Sequence, residues 1–193
     1  MGNSRDVNLT HPDADDVVSA VATRILLPRD ADPSTSELQE IPLERFVGRG
    51  VIVRALGYNE KAEIPFSAVA DQIADVKPGD IVLFDTGWGR LHGSTNRASV
   101  AYEREHPTLD PGIVAALIVR GVLAVGIDAP RLDQPDLRPG PCAHMLAAAN
   151  GILCVNLTNL DEVDFASPLI TLTVGAQLTR TSHRLDATAV AIG

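Results

Sequence analysis

The chain has 193 residues, of which 45% are hydrophobic, 21% charged and only 4% aromatic, and its formal net charge is −9. That is enough chain for one domain with a sizeable core built mainly from Val, Ile, Leu and Ala. The longest apolar runs are strand-sized, short of the roughly 20 residues of a membrane span, and Lys and Arg form no cluster suited to a phosphate backbone, so neither membrane nor nucleic acid is expected as a partner.

In chain order, residues 1–40 are the least regular part. They hold an acidic run from Asp13 to Asp16, a mostly apolar stretch from Val17 to Leu27, and a polar, turn-rich loop over 28–36. Val51 to Ala55 is rich in β-branched residues and predicts a strand. Residues 65–73 predict a short helix with Phe66, Val69, Ala70 and Ile73 on one face. After a turn at Lys77-Pro78-Gly79-Asp80, the run Ile81 to Asp85 predicts a strand covered on both faces, because its apolar residues do not alternate with polar ones. A long loop is expected from Thr86 to Thr108. Asp110 as N-cap and Pro111 in the first turn predict a helix to Val119, which Gly121 stops.

Val122 to Ile127 predicts the next strand, with Asp128 at its end. A helix over 141–150 follows, then a strand over 152–155 and a turn or short helix over 159–163. Strands at 169–174 and 187–192 complete the set. No repeat, low-complexity tract or linker divides the chain, so one domain over 1–193 is expected. Strands alternating with helices predict an α/β fold with a central mixed sheet under helical cover. Sites in such folds lie where strands end at their carboxyl side, here Thr86-Gly87-Trp88 and Asp128-Ala129-Pro130-Arg131. The two cysteines, Cys142 and Cys154, make no disulfide framework and no metal-type pair. Residues 1–6 lack a secretory pattern, and Asp6 stands where a myristoylation start needs Ser or Thr. The expected location is the cytoplasm.

Several segments resemble one family when taken together. Gly79-Asp80-Ile81-Val82-Leu83-Phe84-Asp85-Thr86-Gly87-Trp88 is similar to its Gly-Asp-hydrophobic-Leu-x-x-Thr-Gly-Trp. Tyr102 with His106-Pro107-Thr108-Leu109 is similar to its Tyr-x-x-x-x-Pro-Gly-Leu. Arg120-Gly121-Val122 through Gly126-Ile127-Asp128 and Asn156-Leu157-Thr158-Asn159-Leu160 match two more of its segments. Asn8-Leu9-Thr10-His11-Pro12 resembles its opening, and Ile41 to Phe46 the approach to its first core strand. The family is the putative cyclase/metal-dependent kynurenine formamidase family. The resemblance implies a barrel-like sheet of the swivelling β/β/α type, a homodimer or homotetramer, and metal-assisted opening of amides, esters or lactones.

The metal set itself is missing. The family carries His-x-Gly-Thr-His-x-Asp-x-Pro-x-His near its N-terminus, yet no histidine lies between His11 and Phe46. Aligned back from Pro28, the ligand positions fall near Asp15, Ser19, Val21 and Ile25, in a shortened segment 1–40. The Glu expected before Asn156 is replaced by Val155, and only His144 matches a family ligand. One histidine does not make a site for a metal that takes three or four convergent ligands, so no metal and no cofactor are expected.

The reading that follows is a metal-independent small-molecule cyclase or hydrolase/lyase, possible in secondary metabolism, using acid–base catalysis at the strand ends. His144 is the expected proton carrier, against the plainer reading of a relic held by a local hydrogen bond. Trp88 is expected to wall the pocket, His92 and Tyr102 to lie over it, Arg131 to bind a substrate carboxylate, and Asn156 to line it. Asp128 is read as structural, orienting Arg131 or capping a turn. His11, His106 and His183 are expected at the surface, and Cys142 as a small buried residue rather than a nucleophile paired with His144. The alternatives are a catalytically dead binding or scaffold protein and a metallohydrolase with substitute ligands such as Asp13, Asp15, Asp16 and His144. An excess of Arg over Lys, 14 to 2, suggests a GC-rich bacterial source.

Overall fold

A computed structural model describes residues 5–10, 23–26, 43–58, 60–93, 100–137, 140–179 and 182–191. Its strands are β1 (Asp6–Asn8), β2 (Arg24–Leu26), β3 (Val47–Arg54), β4 (Glu63–Ile64), β5 (Ile81–Asp85), β6 (Thr108–Leu109), β7 (Ala124–Ile127), β8 (Ile152–Val155), β9 (Leu169–Thr179) and β10 (Ser182–Val190). Its α-helices are α1 (Phe66–Ile73), α2 (Val100–Arg104), α3 (Pro111–Val119) and α4 (Pro141–Ala148).

The centre of the sheet is parallel, with β3, β5, β7 and β8 side by side. Antiparallel strands complete it: β2 on β8, β9 on β3, and the long hairpin of β9 and β10. Because β10 also pairs with β2, seven strands form a curled mixed sheet whose pairings return on themselves. β1 lies on the same edge of β10 as β2, further along it. The small pair β4–β6 stands apart.

Continuous apolar strands follow from burial on both faces. Val82 and Phe84 of β5, Val125 and Ile127 of β7, and Leu153 and Val155 of β8 belong to a core shared with α1, α3 and α4. Their neighbours Ile81, Leu83, Ala124, Ile152 and Cys154 turn to a second core, where they meet Ile25, Ile170, Leu172, Ala187 and Ala189 from the antiparallel strands. Gly126 makes room at the crossing for two leucine side chains. A Cβ there would come within 2.5 Å of Leu83 Cδ2 and 2.7 Å of Leu157 Cδ1, so any larger residue overpacks the inner core.

The helix ends obey local chemistry. The Asp110 carboxylate accepts from Gly112 N at 2.7 Å with Pro111 in the first turn, which starts α3. The N-terminus of α4 is capped from outside its own segment: Asp133 accepts from Cys142 N at 2.7 Å and Ala143 N at 2.9 Å. Gly140 precedes that helix, and a side chain there would run into the Asp133 carboxyl group.

Four expectations need correction. The expected loop of 86–108 contains α2 and opens into β6. The helix expected to reach Asn150 ends at Ala148, where Gly151 N bonds Leu146 O and Asn150 turns left-handed. The strand expected from Val122 begins at Ala124, because Val122 N still reaches back to Leu117 O. The C-terminal strand begins earlier than expected, at Ser182, in a hairpin with a β9 that runs on to Thr179. Among the described residues, no helix is long and apolar enough to cross a membrane.

Candidate functional site

Register brings the strand ends together. Arg54 stands beside Asp85, Phe84 beside Ile127, and Gly126 beside Cys154. Asp85-Thr86, Asp128 and Asn156 therefore leave adjacent parallel strands along one edge and form a shelf.

Asp128 is the centre of that shelf. It is buried, and its Oδ1 accepts from the Thr86 hydroxyl at 2.6 Å and from Thr86 N at 3.1 Å, while Oδ2 accepts from Gly89 N at 3.0 Å. Gly89 has to be glycine for this approach, since a Cβ would lie 2.9 Å from Leu157 O and 3.0 Å from Asp128 Cβ. Burial pushes the Asp128 carboxyl up to about 6, and its bonds from Thr86 and Gly89 hold it from rising further. Asp128 thus caps the turn that follows β5; it does not serve the turn after its own strand.

Trp88 leaves that turn and is buried. Its Nε1 donates to Tyr102 O at 3.1 Å, and the two rings stack with centroids 6.1 Å apart. The Tyr102 hydroxyl donates to Asn156 Oδ1 at 3.0 Å and approaches Asp128 O at 3.4 Å. Asn156 is left-handed (φ 58°) and buried; its N donates to Ala129 O at 3.0 Å and its O accepts from Thr23 Oγ1 at 2.7 Å. A buried non-glycine residue in that conformation is held by its surroundings, and here three separate segments hold it, through Tyr102, Ala129 and Thr23. Below the shelf, Arg54 donates to Asp85 Oδ2 at 2.6 Å, Leu160 O at 2.6 Å and Val163 O at 2.7 Å, tying the Asn-Leu-Thr-Asn-Leu turn to β3 and β5.

Of the predicted site residues, the structure brings Trp88, Tyr102 and Asn156 into one network and adds Thr86, Gly89 and Asp128. Arg131 is half-buried just beyond Asp128, and, like Tyr102 and Asn156, it has further polar contacts. His144 lies on α4 two residues past buried Cys142, on the side opposite Cys142 and Leu146, and is exposed. The His92 side chain, His11, Asp13, Asp15, Asp16, Ser19 and Val21 lie outside the described residues, as does the His183 side chain. His106 is not a surface residue: it is fully buried. The Cys142 thiol is buried, lies 3.5 Å from Leu109 O, and is pushed up by burial and then by Asp133, so it is no nucleophile. Burial pushes Cys154 up to about 12. The Tyr102–Asn156 link was hidden in the sequence because the two residues are 54 positions apart.

The described residues do not assemble the ligand set for the divalent metal that the family implies. Val155, in the place of the expected Glu, is buried in the main core, and Ile25, near another expected ligand, is buried in the inner one. Both Asp128 oxygens are already bonded. Among the described residues, no three His, Cys, Asp or Glu side chains converge as a metal site would require.

The family model described as "Putative cyclase" matches residues 7–134. Among solved structures, isatin hydrolase A from Labrenzia aggregata bound to benzyl benzoate superposes with a TM-score of 0.76 at 19% identity, covering 97% of this chain and 94% of that one. Isatin hydrolase A from Ralstonia solanacearum gives 0.76 at 18% identity, covering 99% and 93%. A structure described as a novel cyclase gives 0.71 at 12% identity, covering 99% and 90%. At these identities the likeness establishes the fold. No curated protein sequence matches the chain significantly. With the family model spanning well over half of its residues, and with the strand-end segments of that family folded into one shelf, the chain belongs to the cyclase family.

Proposed function

We propose that this protein is a cyclase- or hydrolase-type enzyme that acts on a small carbonyl compound without a divalent metal. The observation that carries the reading is a pairing: the shelf built by Thr86, Asp128, Tyr102 and Asn156 is kept, while Val155 is buried where a carboxylate ligand is expected. The solved neighbours that hydrolyse isatin suggest a planar cyclic amide as a first substrate class. Opening such a ring breaks the C–N bond; the hydroxyl of water adds to the carbonyl carbon and a proton passes to nitrogen. Without a metal, that proton traffic falls to a side chain. His144 is the proposed carrier, since it is exposed on α4 and an imidazole exchanges protons near neutral pH.

A homodimer or homotetramer is part of the same proposal. The outer side of α3 supports it, because Val119 is 86% exposed at the end of a helix with no charged residue from Pro111 to Val119.

The test is elemental analysis of protein purified without chelator, followed by assays on cyclic amides, esters and lactones, isatin included, with and without EDTA. Turnover unchanged by EDTA in metal-free protein is the expected result. About one zinc or manganese per chain, with activity lost on chelation, overturns it. A second reading, a binding protein without turnover, is favoured by one observation: each Asp128 oxygen is already occupied by internal donors. Tight binding of the same compounds with no product formed would select it.

A further inference from the structure

Between α2 and α3 the chain runs as a strap over residues 105–110, pinned along its length. Lys61 N donates to Glu105 O at 2.8 Å, Thr108 N to Ala62 O at 2.9 Å, Leu109 N to Leu132 O at 2.9 Å, and Asp110 N to Ile64 O at 3.0 Å. The strap continues directly from α2, the helix that carries Tyr102.

His106 sits in this strap with 0% exposure. Its Nδ1 lies 3.0 Å from Pro107 O. A carbonyl only accepts, so Nδ1 carries the proton and Nε2 presents a bare lone pair. Among the described residues the enclosed Nε2 finds no partner, and neither does the Thr108 hydroxyl two residues on. The charged groups whose fields reach the ring are Glu103 from α2, and Arg131 and Asp133 from the segment after β7. Arg131 opposes a proton on the ring, while Glu103 and Asp133 favour one.

A proton on Nε2 would add a buried N–H with no acceptor, and would also take a charge out of water. Both costs disappear if the strap lifts and the ring reaches solvent. Against those costs stand the four backbone bonds of the strap; the Lys61–Glu105 ion pair, 3.8 Å long and partly exposed, adds little to them. We propose that His106 is a pH-sensitive lock: neutral, it holds the strap and α2 down on the shelf; protonated, it releases them. The direction agrees with the electrostatics, since burial moves the ring below its ordinary value of 6.5, the Pro107 carbonyl opposing. A group lowered on folding contributes stability that is present above 6.5 and is lost as pH falls through the folded value. Release matters to the site because Tyr102 accepts from Trp88 Nε1 and reaches Asn156 through its hydroxyl. The lock does not depend on which reaction the shelf serves.

The chain has a single tryptophan, Trp88, and it stacks on Tyr102, so its emission reports the state of α2 directly. The experiment titrates wild-type protein and His106→Gln from about pH 8 to about pH 5, across the range where histidine changes charge, following tryptophan emission and far-UV circular dichroism together. The expected result is an emission transition in the wild type with a midpoint below 6.5, preceding any far-UV change, and its loss in His106→Gln. An identical transition in His106→Gln overturns the proposal and moves the trigger elsewhere, Asp128 first, since burial pushes that carboxyl up to about 6 and it holds Gly89. Emission and far-UV signals moving together also overturn it, because they report global unfolding. Should His106→Gln fail to fold, ring NMR of His106 in the wild type decides: a midpoint at or above 6.5, or titration with unchanged Trp88 emission, sinks the lock.

Discussion

Asp128 on the shelf and His106 in the strap are both buried and both titratable, and burial drives them in opposite directions. It pushes the carboxyl up to about 6 and the imidazole down. The shared cause is that low dielectric penalises charge of either sign. Their settings differ. Asp128 is surrounded by three donors that suit its ionised form, from Thr86 N, the Thr86 hydroxyl and Gly89 N. His106 has a single bond and a bare nitrogen. The shelf can therefore change protonation in place, whereas the strap has no local answer to a proton and must move. The linkage signs are opposed too. Asp128 is raised on folding, so falling pH favours the native state through it, from about 6 down to its ordinary 3.8. His106 favours the native state as pH rises. Where the two windows overlap their contributions offset, and overall stability then conceals two local events.

The largest effect should come from stripping the shelf. Asp128→Ala leaves three buried donors without an acceptor and is expected to cost about 3–5 kcal/mol in urea unfolding. A loss below about 1 kcal/mol would mean that water or a shift of the turn replaces the carboxylate, and the contrast with His106 would collapse. Next comes the link between the two regions. Tyr102→Phe keeps the ring stacked on Trp88 but removes the bond to Asn156 Oδ1. About 1 kcal/mol should be lost. With α2 held less firmly, the tryptophan emission transition should also move to higher pH; an unmoved transition would show that the shelf and strap are independent. The smallest effect on stability is reserved for His144→Ala. An exposed residue away from caps and networks should leave stability within about 0.5 kcal/mol, while a positioned proton carrier should lose ~10²–10⁴-fold in turnover. Melting temperature and turnover measured on the same preparation separate these, and normal turnover would make His144 a relic.

How much of this was legible in the sequence depended on the range of the forces involved. The unbroken apolar run of β5 announced a strand covered on both faces, and the Asp110-Pro111 start of α3 is local chemistry. The segments after β5 and β7 were readable as a shelf because parallel strands must end on one side. What escaped was set at a distance. β1 and β2 are three residues each, with no propensity signal of their own; they are strands because β10 supplies partners. α2 is five residues inside a polar segment, anchored by contacts of Tyr102 with residues 26 and 54 positions away. His106 looked like a surface histidine because nothing in His-Pro-Thr-Leu reveals that its strap is bonded to residues 61–64 on one side and to Leu132 on the other.

The position of β10 has a consequence for how the chain reaches this state. Its outer edge is filled by β1 and β2 and its inner edge by β9, and one bond there, Ala187 N to Thr10 Oγ1, joins residues 177 positions apart. Such a circuit cannot be closed by neighbours in sequence, and its entropy must be surrendered before the contacts repay it. Until the β9–β10 hairpin closes on β2, the facing edges of β10 and β2 stay unpaired in an otherwise formed sheet, each a template for another chain. Intermolecular strand pairing, more than simple unfolding, is the failure to expect when this protein is made quickly or at high concentration.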